Sequence, residues 1–175
     1  MTVILRPATP EDALSISVLA MQIFLDTYAA DGMRADLARE ALGMYDANAL
    51  ATTIAASPAR ITVAEHNAHL VGFTEVERSV TASLAPLPKL VNGLECHRLY
   101  IQRYFKGMGI GRQLLHNAEL TAAQSHSPCV WLKAWIGNAA AIKFYEKMEY
   151  VDAGRTQYFF EGVGHENIIF YKKVG

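Results

Sequence analysis

The stretch from Leu94 to Arg112 constrains the fold more than any other part of this sequence. It reads LECHRLYIQRYFKGMGIGR, an apolar strand-like run followed by a short basic loop with glycines at positions 107, 109 and 111. An amphipathic helix begins almost at once after this turn. A strand, a tight glycine turn and a helix N-terminus together present unpaired backbone N–H groups, and the helix dipole adds roughly half a positive charge. Because Lys106 and Arg112 flank the turn, we expect it to bind a phosphate or pyrophosphate.

Three phosphate-binding patterns compete for this turn. A Walker A loop requires GxxxxGK followed by Ser or Thr, a string that the sequence lacks. A dinucleotide fingerprint would need a glycine where Arg112 stands, and an acidic residue about 20 positions on, where the sequence has Ala134-Trp135-Ile136. The third pattern is a basic residue or Gln, two spacers, Gly, one spacer, and Gly or Ala. It is matched by the run Lys106-Gly107-Met108-Gly109-Ile110-Gly111.

Two motifs together carry a family resemblance. The run LYIQRYFKGMGIGRQLL resembles the coenzyme A pyrophosphate loop of the GNAT N-acetyltransferase superfamily. Downstream, the segment from Asn138 to Tyr145 is similar to the Asn-x-x-Ala-x-x-Phe-Tyr helix of that superfamily, and Lys147 and Tyr150 follow at the usual step. The separation between the two motifs is also typical of these proteins. On these residues the chain resembles a GNAT acetyltransferase.

Composition and charge narrow the remaining function classes. The 175 residues are 51% hydrophobic with a net charge of −1, which predicts one folded domain over residues 1–175. Charges are scattered without a basic block, so we do not expect nucleic acid as the partner. The N-terminus MTVILRPAT is polar too soon for a signal peptide and no 18-residue apolar run exists, so we expect no membrane association and a cytoplasmic location. Cys96 and Cys129 are expected to be free buried thiols, and no metal site is predicted.

The local patterns predict the element order β, helices, β, β, β, α, β, α, β, β. The resemblance implies an α/β (mixed α+β) fold, namely a single GNAT-like domain with a central mixed, mostly antiparallel sheet. Its central strands splay apart to admit the pantetheine arm, and helices flank it. Ser79–Asn92 is expected to be a mobile loop. Helical periodicity also predicts two apolar faces, one with Leu37, Ala38, Ala41 and Leu42, the other with Ile110, Leu114, Leu115, Ala118 and Ala122.

The resemblance implies a set of cofactor-binding residues for acetyl-coenzyme A. Backbone groups of Leu99, Tyr100 and Ile101 would hold the acetyl carbonyl and the pantetheine arm. The loop from Lys106 to Arg112 would hold the pyrophosphate, although Lys106 could instead be a solvated loop charge. On the second motif helix, the cofactor-binding positions are Asn138, Ala141 and Phe144. Asn138 could equally serve as the helix N-cap.

Acetyl transfer to an amine requires a base and a general acid. The resemblance makes Tyr145 the general acid for the coenzyme A sulfur, since a phenol with a pKa near 10 is protonated at neutral pH; packing in the core is the competing role for this side chain. For the base, Glu95 and His97 lie on one face of the predicted strand. An imidazole with a pKa of about 6.5 suits this task, and a water chain is the third possibility.

The acceptor-binding residues are expected among the first helices and the second and third strands. The substrate residues predicted there and at the end of a later strand are Phe24, Tyr28, Glu75 and Trp135. Aromatic faces and carboxylates favour a cationic amine. The stretch IFLDTYAADGM is similar to the corresponding helix of bacterial polyamine-type acetyltransferases.

The resulting hypothesis is an acetyl-coenzyme A-dependent N-acetyltransferase that acts on a small primary amine by direct transfer in a ternary complex. The alternatives are a protein or peptide N-acetyltransferase and an acetyl-coenzyme A-binding module without efficient turnover. A nucleotide-dependent kinase is disfavoured by the missing Walker pair. The apolar closing hairpin from Tyr158 to Tyr171 is consistent either with a homodimer or with inward packing.

Overall fold

The structure is a computed structural model that describes residues 2–57, 60–79, 87–160 and 162–175, without the Phe160 side chain. The strands are β1 (Ile4–Pro7), β2 (Ile61–His66), β3 (His69–Arg78), β4 (Leu94–Ile101), β5 (Cys129–Trp135), β6 (Val151–Phe160) and β7 (Val163–Lys173). The helices are α1 (Ala13–Tyr28), α2 (Ala35–Met44), α3 (Ala47–Ala56), α4 (Ile110–Gln124) and α5 (Ala139–Lys147). Short 3₁₀ turns lie at Pro10–Asp12, Pro88–Leu90 and Arg103–Phe105. This order of strands and helices is the predicted one.

The strands form a seven-stranded sheet in the order β1-β2-β3-β4-β5-β7-β6. Only β4 and β5 are parallel among the strand pairs for which a register is defined. β3 and β4 run antiparallel, since Gln102 N donates to Val71 O at 2.9 Å and Ser79 N donates to Gly93 O at 2.9 Å. The predicted mixed, mostly antiparallel α/β sheet is therefore confirmed.

The parallel ladder between β4 and β5 is short. It pairs Leu94 with Val130 and Glu95 with Trp131, and Cys96 and His97 continue β4 beyond it. A parallel pair that ends after two positions agrees with the predicted separation of the central strands. The side chains of Glu95 and His97 lie at the point where this pairing stops.

The chain divides into two compact units, Met1–Glu75 with Arg98–Leu115, and Val76–His97 with His116–Gly175. In the first unit, Ile110 and Leu114 of α4 pack with Ala64 and Val71, and Leu99 packs against this cluster. Gly72 permits the close approach of β3 and β4, because a Cβ there would lie 2.7 Å from the carbonyl oxygen of Tyr100. The face predicted for α4 is confirmed, since each of its five residues is at most 2% exposed.

In the second unit, the core contains Leu90, Cys129, Trp131 and Ile169. Leu90 belongs to the predicted mobile loop, and yet it is fully buried at the end of a 3₁₀ turn. The described ends of that loop are also held by backbone bonds, since Asn92 N donates to Ser79 O at 2.7 Å. Residues 80–86 of the loop lie outside the described residues.

One predicted core residue is misplaced on α2. Leu37 and Ala41 are buried as expected, but Leu42 is 67% exposed. At about 100° per residue, Leu42 lies about 140° from Leu37 around the helix, which carries it off the buried face. The prediction for Leu42 is wrong for this reason.

Candidate active site

The glycine turn before α4 has the backbone that an anion site requires. Gly107 and Gly109 have φ values of 78° and 80°, a left-handed conformation that costs other residues free energy. A Cβ at either position would meet no atom within 4 Å, so conformation and not space demands glycine here. The sequence therefore folds locally into a turn that aims the chain directly into α4.

The backbone N–H groups of this turn have no acceptor in the described part of the chain. Lys106 N donates to Arg103 O and Gln113 N donates to Gly109 O, and the N–H groups of residues 107–112 between them donate to no described atom. The turn itself is exposed, together with the side chains of Lys106, Met108 and Arg112. Six consecutive unpaired donors and two exposed cations are the features that anion-binding turns share.

β4 presents two different faces to its surroundings in the first unit. Leu99 and Ile101 pack toward Ile110 and Leu114 of α4. Tyr100 points to the other face, where its phenol oxygen lies 2.8 Å from that of Tyr45. The side chains at these three predicted cofactor positions therefore pack within the unit.

The predicted acceptor residues Phe24 and Tyr28 lie together in an aromatic cluster. Their ring centroids are 4.8 Å apart, and Phe24 is 5.8 Å from Tyr45, whose ring is in turn 6.3 Å from Tyr100. Burial raises the pKa of Tyr28 to about 12, and it also raises the pKa values of Tyr45 and Tyr100. All three phenols are therefore neutral at pH 7, and Tyr28 is the exposed member, at 42%.

Glu75 lies in the same unit but is held by two arginines. Its carboxylate accepts from Arg60 Nε at 3.1 Å and from Arg98, while the Arg98 guanidinium lies 5.3 Å from the Tyr45 ring centroid. Glu75 is only 4% exposed. A cationic amine would have to displace a guanidinium to reach this carboxylate, so the aromatic faces are the more accessible acceptor contacts.

In the second unit, Glu95 and His97 are brought together as the strand alternation predicted. Glu95 Oε1 lies 3.5 Å from His97 Nδ1 and 2.9 Å from Lys133 Nζ, and His97 Nε2 lies 3.2 Å from Glu77 Oε2. The Glu95 side chain is 7% exposed and that of His97 is 31% exposed. Of the two predicted bases, only the imidazole is therefore open to solvent to an appreciable extent.

The second motif helix, α5, starts and packs as its sequence suggests. Asn138 Oδ1 accepts from Ala141 N at 3.1 Å, so its N-cap role is confirmed. Tyr145 is 9% exposed, and its ring lies 5.3 Å from Phe144, 6.2 Å from Tyr150 and 5.9 Å from Phe170. This aromatic packing fixes the Tyr145 ring and does not by itself distinguish a core residue from a catalytic one.

Trp135, the remaining predicted substrate residue, ends β5 in the second unit. It is half-buried, and a Cβ on Gly137 would lie 2.4 Å from its ring, so the indole covers the backbone of the following turn. Trp135 therefore belongs to a different compact unit from Phe24 and Tyr28, the other predicted aromatic acceptor residues, which lie in the first unit.

Sequence reasoning missed three residues that shape these clusters: Tyr45, Arg98 and Lys133. Each is drawn in by a partner distant in sequence, as Lys133 is by Glu95 and Arg98 by Glu75. The alternation of β5 was a usable signal for Lys133, because this strand lies beside β4. No local pattern marked Tyr45, which follows the end of α2 and is 1% exposed.

The described residues contain no group of three or more His, Cys, Asp or Glu side chains arranged to hold a metal ion. Cys96 and Cys129 form no disulfide and are buried, as predicted. Burial also raises the pKa of the Cys129 thiol, which makes it a weak nucleophile. Within the ranges that the structure describes, every helix is too short or too polar to cross a bilayer.

Comparisons with known proteins give a consistent result. A family model described as an acetyltransferase (GNAT) domain matches residues 57–152, more than half of the chain. A curated relative from Lactobacillus delbrueckii subsp. lactis, an uncharacterized N-acetyltransferase in the pepI 3′ region, is 24% identical over 77% of this chain and 76% of its own length.

Two solved structures share the fold across nearly the whole chain. One is the paia N-acetyltransferase from Thermoplasma acidophilum in complex with coenzyme A, with a TM-score of 0.74, 21% identity and 99% of each chain covered. The other is yncA from Salmonella typhimurium with its cofactor acetyl-CoA, with a TM-score of 0.73, 18% identity, and 100% of this chain and 95% of that chain covered.

Proposed function

The chain belongs to the GNAT acetyltransferase family, and on that premise we propose that it transfers the acetyl group of acetyl-coenzyme A to a primary amine of a small molecule. The transfer is direct, within a ternary complex of enzyme, thioester and amine. The observation that carries the proposal is the row of N–H groups at residues 107–112, at the N-terminus of α4, for which the described ranges of the chain supply no acceptor. A diphosphate supplies the acceptors that these donors lack.

The residues assigned to the thioester carrier fit its parts. Lys106 and Arg112 add charge to the diphosphate site, and the backbone of residues 99–101 holds the acyl end. On α5, Asn138 keeps its side-chain N–H groups for the pantetheine amide, because only its oxygen is used by the N-cap. Ala141 and Phe144 are half-buried on the same helix and provide apolar contact. The bound thioester supplies the acetyl group and a sulfur leaving group.

We assign the proton acceptor to His97 and an orienting role to Glu95. Glu95 is buried and already paired with Lys133, so its carboxylate is a poor acceptor for the amine proton. His97 Nε2 donates to Glu77 Oε2 at 3.2 Å, so in the neutral ring Nδ1 is the nitrogen that takes the proton of the attacking amine. Glu95, 3.5 Å from Nδ1, and Glu77, whose side chain is 47% exposed, then stabilise the imidazolium until its proton passes to solvent. Tyr145 donates a proton to the leaving sulfur.

Direct transfer is favoured over a covalent acyl-enzyme by the state of the two thiols. Cys96 and Cys129 are only 4% and 2% exposed, so neither thiol is presented at the surface as an attacking nucleophile. Initial rates measured at several concentrations of both substrates should give intersecting double-reciprocal lines. Parallel lines would contradict the ternary complex.

The acceptor class is proposed from the aromatic cluster. Tyr28 offers an exposed neutral ring face, and such faces attract ammonium groups. Phe24 supports that ring from behind at 4.8 Å. Glu75 keeps a proposed acceptor role in the first unit, through Arg60 and Arg98. Trp135 keeps its proposed role as an acceptor contact in the second unit.

A thiol-release assay tests the proposal. The protein is incubated with acetyl-coenzyme A and a panel of diamines, amino sugars, amino acids and a short peptide, and free thiol is followed with a disulfide reagent. The two buried thiols of the chain keep the background low. Tyr145→Phe should reduce turnover by about 100-fold while coenzyme A binding persists. Tyr104→Phe is the matched control, because that phenol is 77% exposed and away from any assigned role.

The outcomes of this assay separate the alternatives. Thiol release with the peptide alone would make the protein a peptide N-acetyltransferase. Calorimetric binding of acetyl-coenzyme A without thiol release on any amine would make it a binding module. Either result would overturn the small-molecule assignment.

Association and location are further proposals. Tyr158, Phe159 and Val163 are 49%, 69% and 59% exposed on the hairpin of β6 and β7, which favours pairing of this hairpin in a homodimer. Light scattering after size exclusion tests the proposed homodimer, and a monomeric mass at micromolar concentration would contradict it.

The cytoplasm is the proposed location, because two thiols that form no disulfide favour a reducing compartment.

A further inference from the structure

A four-residue charge cluster in the second unit contains one cation that the proposed transfer step does not yet use. The cluster consists of Glu77 on β3, Glu95 and His97 on β4, and Lys133 on β5. Glu95 Oε1 lies 2.9 Å from Lys133 Nζ and 3.5 Å from His97 Nδ1, so one carboxylate oxygen serves both partners. Lys133 Nζ also lies 5.4 Å from the Trp131 ring centroid. The ammonium is therefore fixed between a buried carboxylate and an aromatic face.

The shared oxygen couples the ammonium to the imidazole. A carboxylate next to His97 favours the protonated ring, and a cation on the same carboxylate offsets that preference. Among the described residues, the charged groups within ion-pair distance of the imidazole are Glu77 and Glu95. The Glu77 side chain is 47% exposed and screened by solvent, whereas the Glu95 side chain is 7% exposed. Glu95 is thus the stronger influence on the ring, and Lys133 is the group that moderates it.

We propose that Lys133 is a positioning residue, whose ammonium holds the Glu95 carboxylate in place and offsets the negative charge that this carboxylate presents to the His97 imidazole. This role rests on the proposed function, in which His97 is the base. Lys133 touches neither substrate. It acts through the carboxylate that it shares with the imidazole.

The sign of the effect follows from the charges. Without the ammonium, the buried Glu95 carboxylate has His97 as its nearest cation, so the ring holds its proton to higher pH. The fraction of enzyme with a free base then falls at neutral pH and recovers in alkaline solution. A structural role alone would lower the activity by the same factor at every pH.

The kinetic test compares Lys133→Met and Lys133→Arg with the wild type between pH 5.5 and 9.5. For Lys133→Met, the acidic limb of the kcat/KM profile should move up by about one pH unit, with a loss of about 8-fold at pH 6, about threefold at pH 7 and almost none at pH 9. Lys133→Arg keeps the cation and should restore the wild-type limb. Lys173→Met, which removes an exposed lysine at the opposite end of the β5–β7 pairing, should leave the profile unchanged. A uniform loss across pH, or no loss, would overturn the proposal.

A second readout does not depend on acetyl transfer. The imidazole of His97 is followed by nuclear magnetic resonance in protein labelled with ¹⁵N-histidine, and is assigned with a His97→Gln sample. The titration midpoint should be about one pH unit higher in Lys133→Met than in the wild type, and unchanged in Lys173→Met. If the midpoint moves but no amine is acetylated, the coupling stands and the proposed function fails. If acetylation occurs but the midpoint stays, the role of Lys133 is refuted and the proposed function survives.

Discussion

At the residue scale, Arg6 shows how one side chain fixes the start of the fold. Its guanidinium donates to both oxygens of Asp12, at 2.6 and 2.9 Å, and to Glu65 at 2.9 Å. The bond from Arg6 is the main cause that lowers the pKa of Asp12 to about 2. Asp12 also accepts from Thr9 N at 2.8 Å, which closes the turn before α1. The guanidinium therefore joins β1 to the turn before α1 and to β2, which is distant in sequence.

Asp12→Asn should therefore destabilise the protein in a pH-dependent way. A carboxyl whose pKa is depressed on folding stabilises the native state above its unfolded value of about 3.9, and this contribution disappears as the pH falls toward 2. We expect the variant to lose about 1–2 kcal/mol of unfolding free energy at pH 7, about half of that loss at pH 3, and little of it at pH 2. Urea unfolding at these three pH values measures the difference. Asp26→Asn removes an exposed carboxylate of α1 and should leave the stability unchanged at each pH; a loss in Asp12→Asn as large at pH 2 as at pH 7 would contradict the ion-pair account.

Tyr28 provides a test of the proposed acceptor site. Tyr28→Ala removes the exposed ring face and should raise KM for a cationic amine by about 5- to 10-fold, since such a contact contributes about 1 kcal/mol. The value of kcat should change less than twofold, because the ring does not touch the reacting atoms. Tyr28→Phe keeps the face and should retain the wild-type KM. If the KM of Tyr28→Ala were the same as that of the wild type and of Tyr28→Phe, the Tyr28 ring would be excluded from amine recognition.

The sequence predicted some residue contacts and could not predict others. Glu95 and His97 share a strand face, and the alternation of a β-strand requires no knowledge of partners. Lys133 and Arg98 enter through pairing between strands, which depends on a register that a single sequence does not contain. Glu75 shows the consequence, because a carboxylate expected to meet an amine is instead held by two arginines.

At the scale of elements, α4 joins the core to the proposed diphosphate site. Leu114 is fully buried against Ala64 and Val71, whereas Leu120 on the same helix is 47% exposed. Leu114→Ala should reduce the unfolding free energy by about 3 kcal/mol through lost burial and a cavity. Leu120→Ala should cost less than about 0.5 kcal/mol. Chemical denaturation of both variants measures the difference, and similar losses would show that the two faces of α4 are not distinct.

Gly109 tests the turn that precedes the same helix. Its φ of 80° is strained for any residue with a Cβ, so Gly109→Ala should cost about 1–2 kcal/mol. The altered turn should also weaken coenzyme A binding by at least about tenfold in titration calorimetry.

Gly43→Ala is the matched control for Gly109→Ala. That glycine lies within α2 with open space around it, and the exchange should stabilise the protein by roughly 0.5–1 kcal/mol without affecting binding. If folded Gly109→Ala bound coenzyme A with the affinity of the wild type, the turn would not be part of the binding site.

The elements were predictable because each one carries its own pattern. The five buried positions of α4 recur at helical spacing, and β5 is buried at Cys129–Leu132 as a continuous apolar run suggests. The errors arise where burial depends on neighbours. Leu42 belongs to an apolar run in the sequence but lies off the buried face of α2. β3 is buried on both faces from Val71 to Val76, so its sequence does not alternate between apolar and polar residues.

At the scale of the whole molecule, the two compact units are not separate lengths of chain. Their boundaries fall at Glu75, His97 and Leu115, inside β3, β4 and α4 respectively. Unfolding one unit alone would therefore break three elements that continue into the other. This connectivity favours the single domain that the sequence predicted, with both units melting together.

Calorimetry tests this cooperativity and the ligand site at once. We expect a single transition with an enthalpy of about 120 kcal/mol, equal to the van't Hoff value, as for a two-state chain of this length. Coenzyme A at 100 times its Kd should add about 2.7 kcal/mol and raise the whole transition by about 5–10 °C. Pantetheine lacks the diphosphate and should shift Tm by less than about 2 °C at the same concentration, because the N–H groups of residues 107–112 then remain without acceptors. Two resolved transitions would show that the units unfold independently, and an equal shift by pantetheine would show that these amides contribute little to binding.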